Sequence, residues 1–186
     1  MTATSVSMTG AAGMELVEVT KKTRGEWLAQ AVRLEKKSFS KSDSLGQRLV
    51  EEAMKSHNTL ILAVGTQDAS VHAYVLFRRN GGEGHIDRIA VAEHQQRQGI
   101  GRCLLQAAIT ALQKNRALKL VLEADTANLG AIALYESQGF MRTTVRTDYY
   151  KPGRDALLLE LKLQAPPLQT RVVPIAVKLR EPSGKC

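Results

Sequence analysis

Two hydrophobic periodicities alternate along the chain. Apolar residues at every second position, or in short runs bounded by turn residues, predict seven strands. They cover residues 14–19, 59–65, 71–79, 85–91, 118–124, 140–145 and 155–163. Apolar residues three and four positions apart predict helices over 24–37, 99–112 and 128–138. A further short helix, capped by Ser42 or Ser44, is predicted to reach about Lys55.

The order of these elements, β-α-α-β-β-β-α-β-α-β-β, predicts an α/β (α+β) fold. We expect a single domain over residues 14–163, with a mixed, largely antiparallel twisted sheet flanked by helices. The glycine-rich segment 80–84 predicts a hairpin turn. Residues 1–13 carry only small or polar side chains and two Met, which is typical of a disordered leader. Residues 164–186 contain four prolines and form a C-terminal extension.

Composition narrows the class of protein. The chain of 186 residues is 44% apolar, but no apolar run approaches the roughly 20 residues that span a bilayer, so we expect no membrane contact. The net charge of +8 suits an acidic partner, a phosphate-rich cofactor or nucleic acid. Aromatic residues are only 4%, which argues against specific nucleic-acid binding. The four histidines lack metal-ligand spacing, and we expect no metal.

Two cysteines indicate a reducing compartment. The leader lacks acids, as transit peptides do, but it also lacks the Arg of such peptides and has no apolar signal core. We therefore expect a cytoplasmic or nuclear location, and an organelle remains an alternative.

The segment "QRQGIGR", residues 96–102, lies between a strand and a helix. A dinucleotide motif would need a glycine where Leu104 stands, and a P-loop would need Lys and Ser or Thr in place of Arg102 and Cys103. A tight turn or a pyrophosphate cradle remains. In the cradle, Gly99 and Gly101 allow close approach of the backbone to phosphate, and helix N-terminal amides point at the anion.

Gln96-x-x-Gly99-x-Gly101 resembles the cofactor motif of the GNAT superfamily of acetyl-CoA-dependent N-acetyltransferases. The segment 122–140 resembles the ribosomal-protein-alanine and amino-terminal (N-alpha) acetyltransferases in particular, with Glu123, Asn128, "ALY" at 133–135 and "GF" at 139–140. The resemblance covers about 14–163. It implies an acetyl-CoA-dependent enzyme that acetylates a protein or peptide N-terminus, with a ribosome or a partner subunit as further candidate contacts.

The resemblance also implies site residues. Glu123 would be the base, acting through water, and Tyr135 would protonate or hydrogen-bond the cofactor sulfur. The residues implied to bind the cofactor are Ile89, Ala90, Val91, Gln96, Arg97, Gln98, Gly99, Ile100, Gly101, Arg102 and Asn128.

Position alone leaves alternatives open. Burial would raise the pKa of Glu123 toward the working range, but the carboxylate is equally consistent with exposure or an arginine partner. Tyr135 fits a core residue, and Asn128 fits a helix N-cap. We interpret Asp87 and Arg88 as a surface pair.

Tyr149 and Tyr150 precede a turn predicted at Pro152-Gly153. In the resembled family this hairpin closes one side of the substrate groove, so a chain end is expected to enter and a mid-chain lysine is not. Three alternatives remain: a lysine or small-amine acetyltransferase, a non-catalytic coenzyme A-binding module, and tyrosines that only pack across strands. The segment 38–44 lacks the proline and tryptophan common in the bacterial enzymes, so the substrate's first residues are not predicted.

Overall fold

The computed structural model describes residues 14–20, 24–53, 55 and 58–163. The strands are β1 Met14–Glu18, β2 Asn58–Gly65, β3 Val71–Asn80, β4 Glu83–Val91, β5 Lys119–Asp125, β6 Met141–Lys151 and β7 Arg154–Lys162. The helices are α1 Arg24–Ser38, α2 Arg48–Ala53, α3 Ile100–Lys114 and α4 Leu129–Glu136, with a 3-10 turn at Glu93–Gln95. The predicted element order is confirmed. The predicted leader and extension lie outside the described residues.

The strands form one mixed sheet in the order β1-β2-β3-β4-β5-β7-β6. Neighbouring strands are antiparallel except β4 and β5, which are parallel. Because side chains alternate along a strand, β2 supplies both faces of the sheet. Leu60 and Leu62 pack with α1, whereas Ile61 and Ala63 pack with α3. The sheet is therefore the middle layer of three, with helices on both sides.

The second helix begins later than predicted. Residues 41–47 form turns, and α2 begins at Arg48. The main-chain N–H of Leu45 donates to the carboxylate of Glu35 (2.7 Å), a fully buried residue of α1, and Gly46 N–H donates to Ser44 Oγ (3.1 Å). These bonds satisfy the main-chain N–H groups of Leu45 and Gly46 without a helix. The local sequence did not predict them. We call residues 39–47 the α1–α2 loop.

The third helix packs its apolar face on the sheet, as predicted. Its buried residues are Ile100, Leu104, Leu105, Ala108 and Leu112. The spacing of three and four residues also includes Cys103, Ala107 and Ala111 but not Leu105. Those three are only half-buried, so the buried face is narrower and rotated toward Leu105.

Candidate active site

The parallel ladder between β4 and β5 is short. It pairs Glu83 with Lys119, Gly84 with Leu120 and His85 with Val121, and goes no further in the described residues. The rest of β4, residues 86–91, which includes Ile89, Ala90 and Val91, pairs only with β3 on its other side. Main-chain polar groups on the β5 side of Ile89–Val91 therefore have no ladder partner there, and the sheet forks at this point.

A cleft of about 1400 Å³ lies at the fork. Its walls are the α1–α2 loop, β4, β5, α4, and β6 with β7. Six residues predicted from the sequence line this cleft together: Ile89, Glu123, Asn128, Tyr135, Tyr149 and Tyr150. The tertiary structure thus collects both candidate catalytic residues and both hairpin tyrosines at one place.

The glycine segment 96–102 does not line this cleft, but it lies against its edge. A Cβ built on Gly101 would lie 3.5 Å from Leu134 of α4 and 3.6 Å from Val91. Two members of the predicted cofactor site, Val91 and Gln96, line a smaller cleft of about 620 Å³. Gln96 Nε2 donates to the main-chain oxygen of Val91 (3.2 Å), and this bond joins the segment to the end of β4.

The glycine segment has the features that a pyrophosphate cradle requires. Gly99 precedes α3 with a φ of +82°, a left-handed conformation that favours glycine, and no side chain caps the helix. A Cβ at Gly99 would meet nothing within 4 Å. No acidic residue occupies the first turn, and Arg97 and Arg102 are exposed. Free first-turn amides, positive side chains and open space above the backbone fit a bound pyrophosphate.

Asn128 caps α4, as its position predicted. Its Oδ1 accepts a hydrogen bond from the main-chain N–H of Ala131 (3.1 Å). The capped helix carries Tyr135 about two turns further along, so the cap also fixes where that tyrosine enters the cleft.

Glu123 is held from two sides. Arg146 Nη1 donates to its Oε1 (2.8 Å), and His85 Nε2 lies 2.9 Å from its Oε2. The side chain is 9% exposed. The hydrogen bond with His85 lowers the pKa of the Glu123 carboxyl below its ordinary value, and this effect exceeds the opposing effect of burial. Burial raises this pKa, as predicted, but the hydrogen bond with His85 and the charge of Arg146 reverse the net direction. The arginine partner that position alone left open is Arg146.

His85 and Asp87 extend this cluster along β4. His85 Nδ1 lies 3.0 Å from Asp87 Oδ1, which also pairs with Arg78 of β3. The predicted surface pair of Asp87 and Arg88 was wrong, since Asp87 turns toward His85. His85 was not among the site residues predicted from the sequence. The feature that could have indicated it is the alternation of His85 and Asp87 on one face of β4, together with the parallel pairing that brings β5 alongside.

Arg88 turns instead toward the α1–α2 loop. Its Nη2 donates to the main-chain oxygen of Asp43 (2.8 Å), and its guanidinium lies 4.4 Å from the ring centre of Phe39. The same guanidinium lies 3.8 Å from the buried carboxylate of Glu35. Arg88 therefore fixes the loop that forms one wall of the cleft.

Tyr135 is both a core residue and a residue of the cleft. It is 6% exposed, and its ring meets Phe140 edge to face with 6.0 Å between ring centres. Burial, with a smaller contribution from Tyr150, raises the pKa of the Tyr135 hydroxyl above its ordinary value. The hydroxyl makes no hydrogen bond with the described residues. It therefore keeps its proton at neutral pH and remains available as a donor.

The hairpin after β6 has the predicted two-residue turn. Lys151 pairs with Arg154, which leaves Pro152 and Gly153 in the turn. Before it, Tyr149 and Tyr150 meet edge to face with 5.0 Å between ring centres. Burial, followed by the neighbouring Tyr149, raises the pKa of Tyr150 to about 12. Tyr150 therefore keeps a neutral hydroxyl at neutral pH, and both tyrosines line the cleft.

Arg154 joins the two sides of the cleft. Its guanidinium pairs with Asp43 of the α1–α2 loop and with Asp125 at the end of β5. It also lies 4.9 Å from the ring centre of Tyr150. The loop wall and the hairpin wall are therefore connected across the cleft by one side chain.

The described residues show no metal-binding cluster and no membrane-spanning helix. They contain no group of three or more His, Cys, Asp and Glu side chains arranged to hold a metal ion. None of their helices is long and apolar enough to cross a membrane.

Comparison with known proteins places this geometry in a family. The profile of the Acetyltransferase (GNAT) family matches residues 28–140. [Ribosomal protein bS18]-alanine N-acetyltransferase of Escherichia coli (strain K12) is 40% identical over 101 residues, which are 53% of this chain and 68% of that protein. An N-alpha-acetyltransferase of Sulfurisphaera tokodaii is 40% identical over 82 residues, 44% of this chain and 49% of that one.

The fold agrees with a solved structure. The crystal structure of the ribosomal-protein-S18-alanine N-acetyltransferase from Escherichia coli superposes with a TM-score of 0.69 at 27% identity, covering 80% of this chain and 93% of that one. The family match includes the β4–β5 fork, the glycine segment and α4. The chain therefore belongs to the Acetyltransferase (GNAT) family and is an N-acetyltransferase that uses acetyl-CoA.

Proposed function

We propose that this enzyme acetylates the α-amine at a protein N-terminus. The observation that carries the proposal is the connection of Arg154 to Asp43 across the cleft. An internal lysine needs room for its own main chain to pass on both sides of the reacting amine. A bridge between the loop and the hairpin obstructs one of those sides, whereas the end of a chain needs only one.

The acid–base properties of an α-amine also favour it as the acceptor of the acetyl group. An α-amine has a pKa near 8 and is partly neutral at physiological pH, whereas a lysine near 10.4 is almost fully charged. A carboxylate whose pKa is lowered, as that of Glu123 is, is a weak base. It removes a proton more readily from the α-amine than from lysine, because the pKa of the α-amine is closer to its own. The relative named for the alanine of ribosomal protein bS18 makes an N-terminal alanine the first residue to test.

Each site residue receives a role in this proposal. When bound, acetyl-CoA supplies the acetyl group as an activated thioester. The amides that follow Gly99, with Arg97 and Arg102, hold its pyrophosphate, and an unpaired main-chain N–H of Ile89–Val91 donates to the acetyl oxygen. Glu123, on the opposite side of the fork, accepts the amine proton through water.

Tyr135 serves as the acid. Its side chain is buried, lines the same cleft as Glu123 and keeps its proton at neutral pH, so we assign to its hydroxyl the donation to the sulfur. Tyr135→Phe should therefore slow the expulsion of the thiol by roughly 10²-fold, the usual scale for a positioned acid. Single-turnover release of free thiol measures that step, and a rate within twofold of wild type would remove Tyr135 from this role.

We also propose the limits of the catalytic unit and its location. All the residues assigned above fall within 14–163, so we infer that residues 1–13 and 164–186 take no part in the chemistry. We infer a cytoplasmic or nuclear location, and a protein N-terminus, free or on a ribosome, as the partner.

The decisive experiment uses matched peptides. One set begins with a free α-amine and contains no lysine; the other has the same sequence with a blocked N-terminus and one internal lysine. We expect mass spectrometry to show acetylation of the α-amine and at least tenfold slower modification of the blocked set. Faster acetylation of the internal lysine would reassign the enzyme to lysine acetylation, and acetyl-CoA binding without acetylation of either set would indicate a non-catalytic module.

A further inference from the structure

We propose that His85 receives the substrate proton from Glu123, with Asp87 positioning the ring, so that the base of the reaction is a His85–Glu123 pair rather than Glu123 alone. This rests on the proposed role of Glu123. The geometry is a continuous chain. Asp87 Oδ1 lies 3.0 Å from His85 Nδ1, and His85 Nε2 lies 2.9 Å from Glu123 Oε2.

The proton balance of acetylation requires such an acceptor. An ammonium group that becomes an acetamide loses two protons, while one C–N bond forms and one C–S bond breaks. One proton ends on the sulfur, and the other must leave the site. Glu123 is a poor final acceptor, because a hydrogen bond donated by His85 once its Nε2 carries the proton, and the charge of Arg146, stabilise the ionised carboxylate.

The imidazole is placed to take that proton onward. A carboxylate only accepts hydrogen bonds, and a neutral imidazole has one N–H for its two carboxylate contacts. With that N–H directed from Nδ1 at Asp87, Nε2 carries no proton toward Glu123. A proton that arrives on Glu123 can transfer to Nε2, since Nε2 and Oε2 lie 2.9 Å apart. The side chain of His85 is 20% exposed against 9% for Glu123, so the ring can then release the proton to solvent.

The charged groups around the ring balance one another, so they do not oppose this temporary cation. Asp87 on its own strand and Glu123 on β5 are anionic, and Arg78 of β3 and Arg146 of β6 each pair with one of them. With a neutral ring these four charges cancel. Further along the cleft, Lys119 pairs with Glu83 (2.6 Å) and lies 4.0 Å from Glu160 of β7, so these groups largely neutralise one another.

A purely structural role for this chain is the alternative explanation. One of the two Asp87 oxygens is buried and has no hydrogen-bond partner, whereas the other takes both Arg78 and His85. A cluster built only for stability would gain by satisfying both oxygens, since an unsatisfied buried acceptor is costly. The arrangement instead directs the negative charge of Asp87 at the ring.

The test measures kcat against pH at saturating concentration of a peptide with a free α-amine. His85→Gln keeps a donor of similar reach toward Glu123 but cannot take up a proton. We expect its kcat to fall roughly tenfold or more, its KM for the peptide to stay within about twofold, and the acidic limb of the wild-type profile to flatten. Asp87→Asn should move that limb to lower pH, because loss of the neighbouring anion disfavours the charged ring.

Two comparisons make the result decisive. His94→Gln, at an exposed histidine outside the cleft, should leave the profile unchanged. Imidazole ¹⁵N spectra of the protein without ligands should show the Nε2 signal of His85 shifted in Glu123→Gln, a readout independent of turnover. A His85→Gln profile of wild-type shape and rate would overturn the relay. Wild-type rates for Glu123→Gln would instead overturn the base assigned in the proposed function.

Discussion

The hydroxyl of Tyr150 lies 3.3 Å from the main-chain oxygen of Glu123. This hydrogen bond ties the edge hairpin to β5 at the residue assigned as the base. The hairpin therefore cannot move away from the cleft without breaking a contact to the strand that carries the catalytic carboxylate.

Loss of the hairpin tyrosines should weaken peptide binding more than it slows chemistry. Tyr149→Ala and Tyr150→Ala remove ring surface and hydroxyl together, so KM for the peptide should rise several-fold while kcat changes less. Tyr150→Phe keeps the ring and should show a smaller rise. Val145→Ala, on the same strand but outside the cleft lining, is the matched control. A fall in kcat with unchanged KM would contradict a binding role.

Replacing Asp43 should loosen the wall opposite the hairpin. The hydrogen bond from Arg154 holds the pKa of Asp43 below its ordinary value of 3.8, so the ionised form stabilises the fold. Asp43→Asn should lower the free energy of unfolding by about 1 kcal/mol at pH 7 and raise KM for the peptide. Since a depressed pKa gives stability that is present above the ordinary value and is lost as pH falls through the folded one, the difference should vanish in acid.

Thermal unfolding at pH 7 and at successively lower pH checks this sign, because below the folded pKa both proteins carry a neutral side chain. Glu136→Gln breaks an ion pair with Arg142 that is largely exposed and remote from the cleft. It should leave KM unchanged. A stability difference for Asp43→Asn that persists undiminished in acid would show that shape rather than charge is responsible.

Side chains added at the glycine segment should block acetyl-CoA. Gly101 lies in the first turn of α3, where a Cβ makes only ordinary contacts with Leu134 and Val91, so Gly101→Val should fold. Its affinity for acetyl-CoA should fall at least tenfold, because the added side chain crowds the first turn of α3, whose free amides are proposed to hold the pyrophosphate. Calorimetry measures the affinity directly.

Backbone strain needs its own control in this experiment. Gly99→Ala places a Cβ at a φ of +82°, and Gly81→Ala does the same at +57° in the remote β3–β4 turn, with open space at both positions. Both should lose similar stability. Only Gly99→Ala should also lose acetyl-CoA affinity, and equal affinities for the two variants would refute the cradle.

Neutralising Glu123 should lower the rate by a constant factor around neutrality. Because the pKa of the carboxyl lies below its ordinary value of 4.5, Glu123 is ionised throughout the range from about pH 6 to 8. Glu123→Gln should reduce kcat by roughly 10²-fold across that range. Initial rates with a saturating free-amine peptide measure this, again with Glu136→Gln as the control. A loss below threefold would mean that the site acts mainly by positioning.

The sequence by itself determined the fold and the outline of the site. Periodicity defined the seven strands and the order of elements, because apolar spacing reflects which face of each element is buried. The glycine spacing at Gly99 and Gly101 and the cap at Asn128 were readable because both are local: each depends on neighbours within a few residues. The Pro152-Gly153 turn was readable for the same reason.

Only the tertiary structure decided the electrostatics of the cleft. Glu123 receives its partners from other strands, His85 from β4 and Arg146 from β6, and these reverse the expected direction of its pKa shift. The start of α2 depends likewise on the buried carboxylate of Glu35, and the bridge from Arg154 to Asp43 spans 111 residues. Charge interactions depend on distance in space, and a pattern of sequence spacing carries no information about which side chains a forked sheet brings within 3 Å of one another.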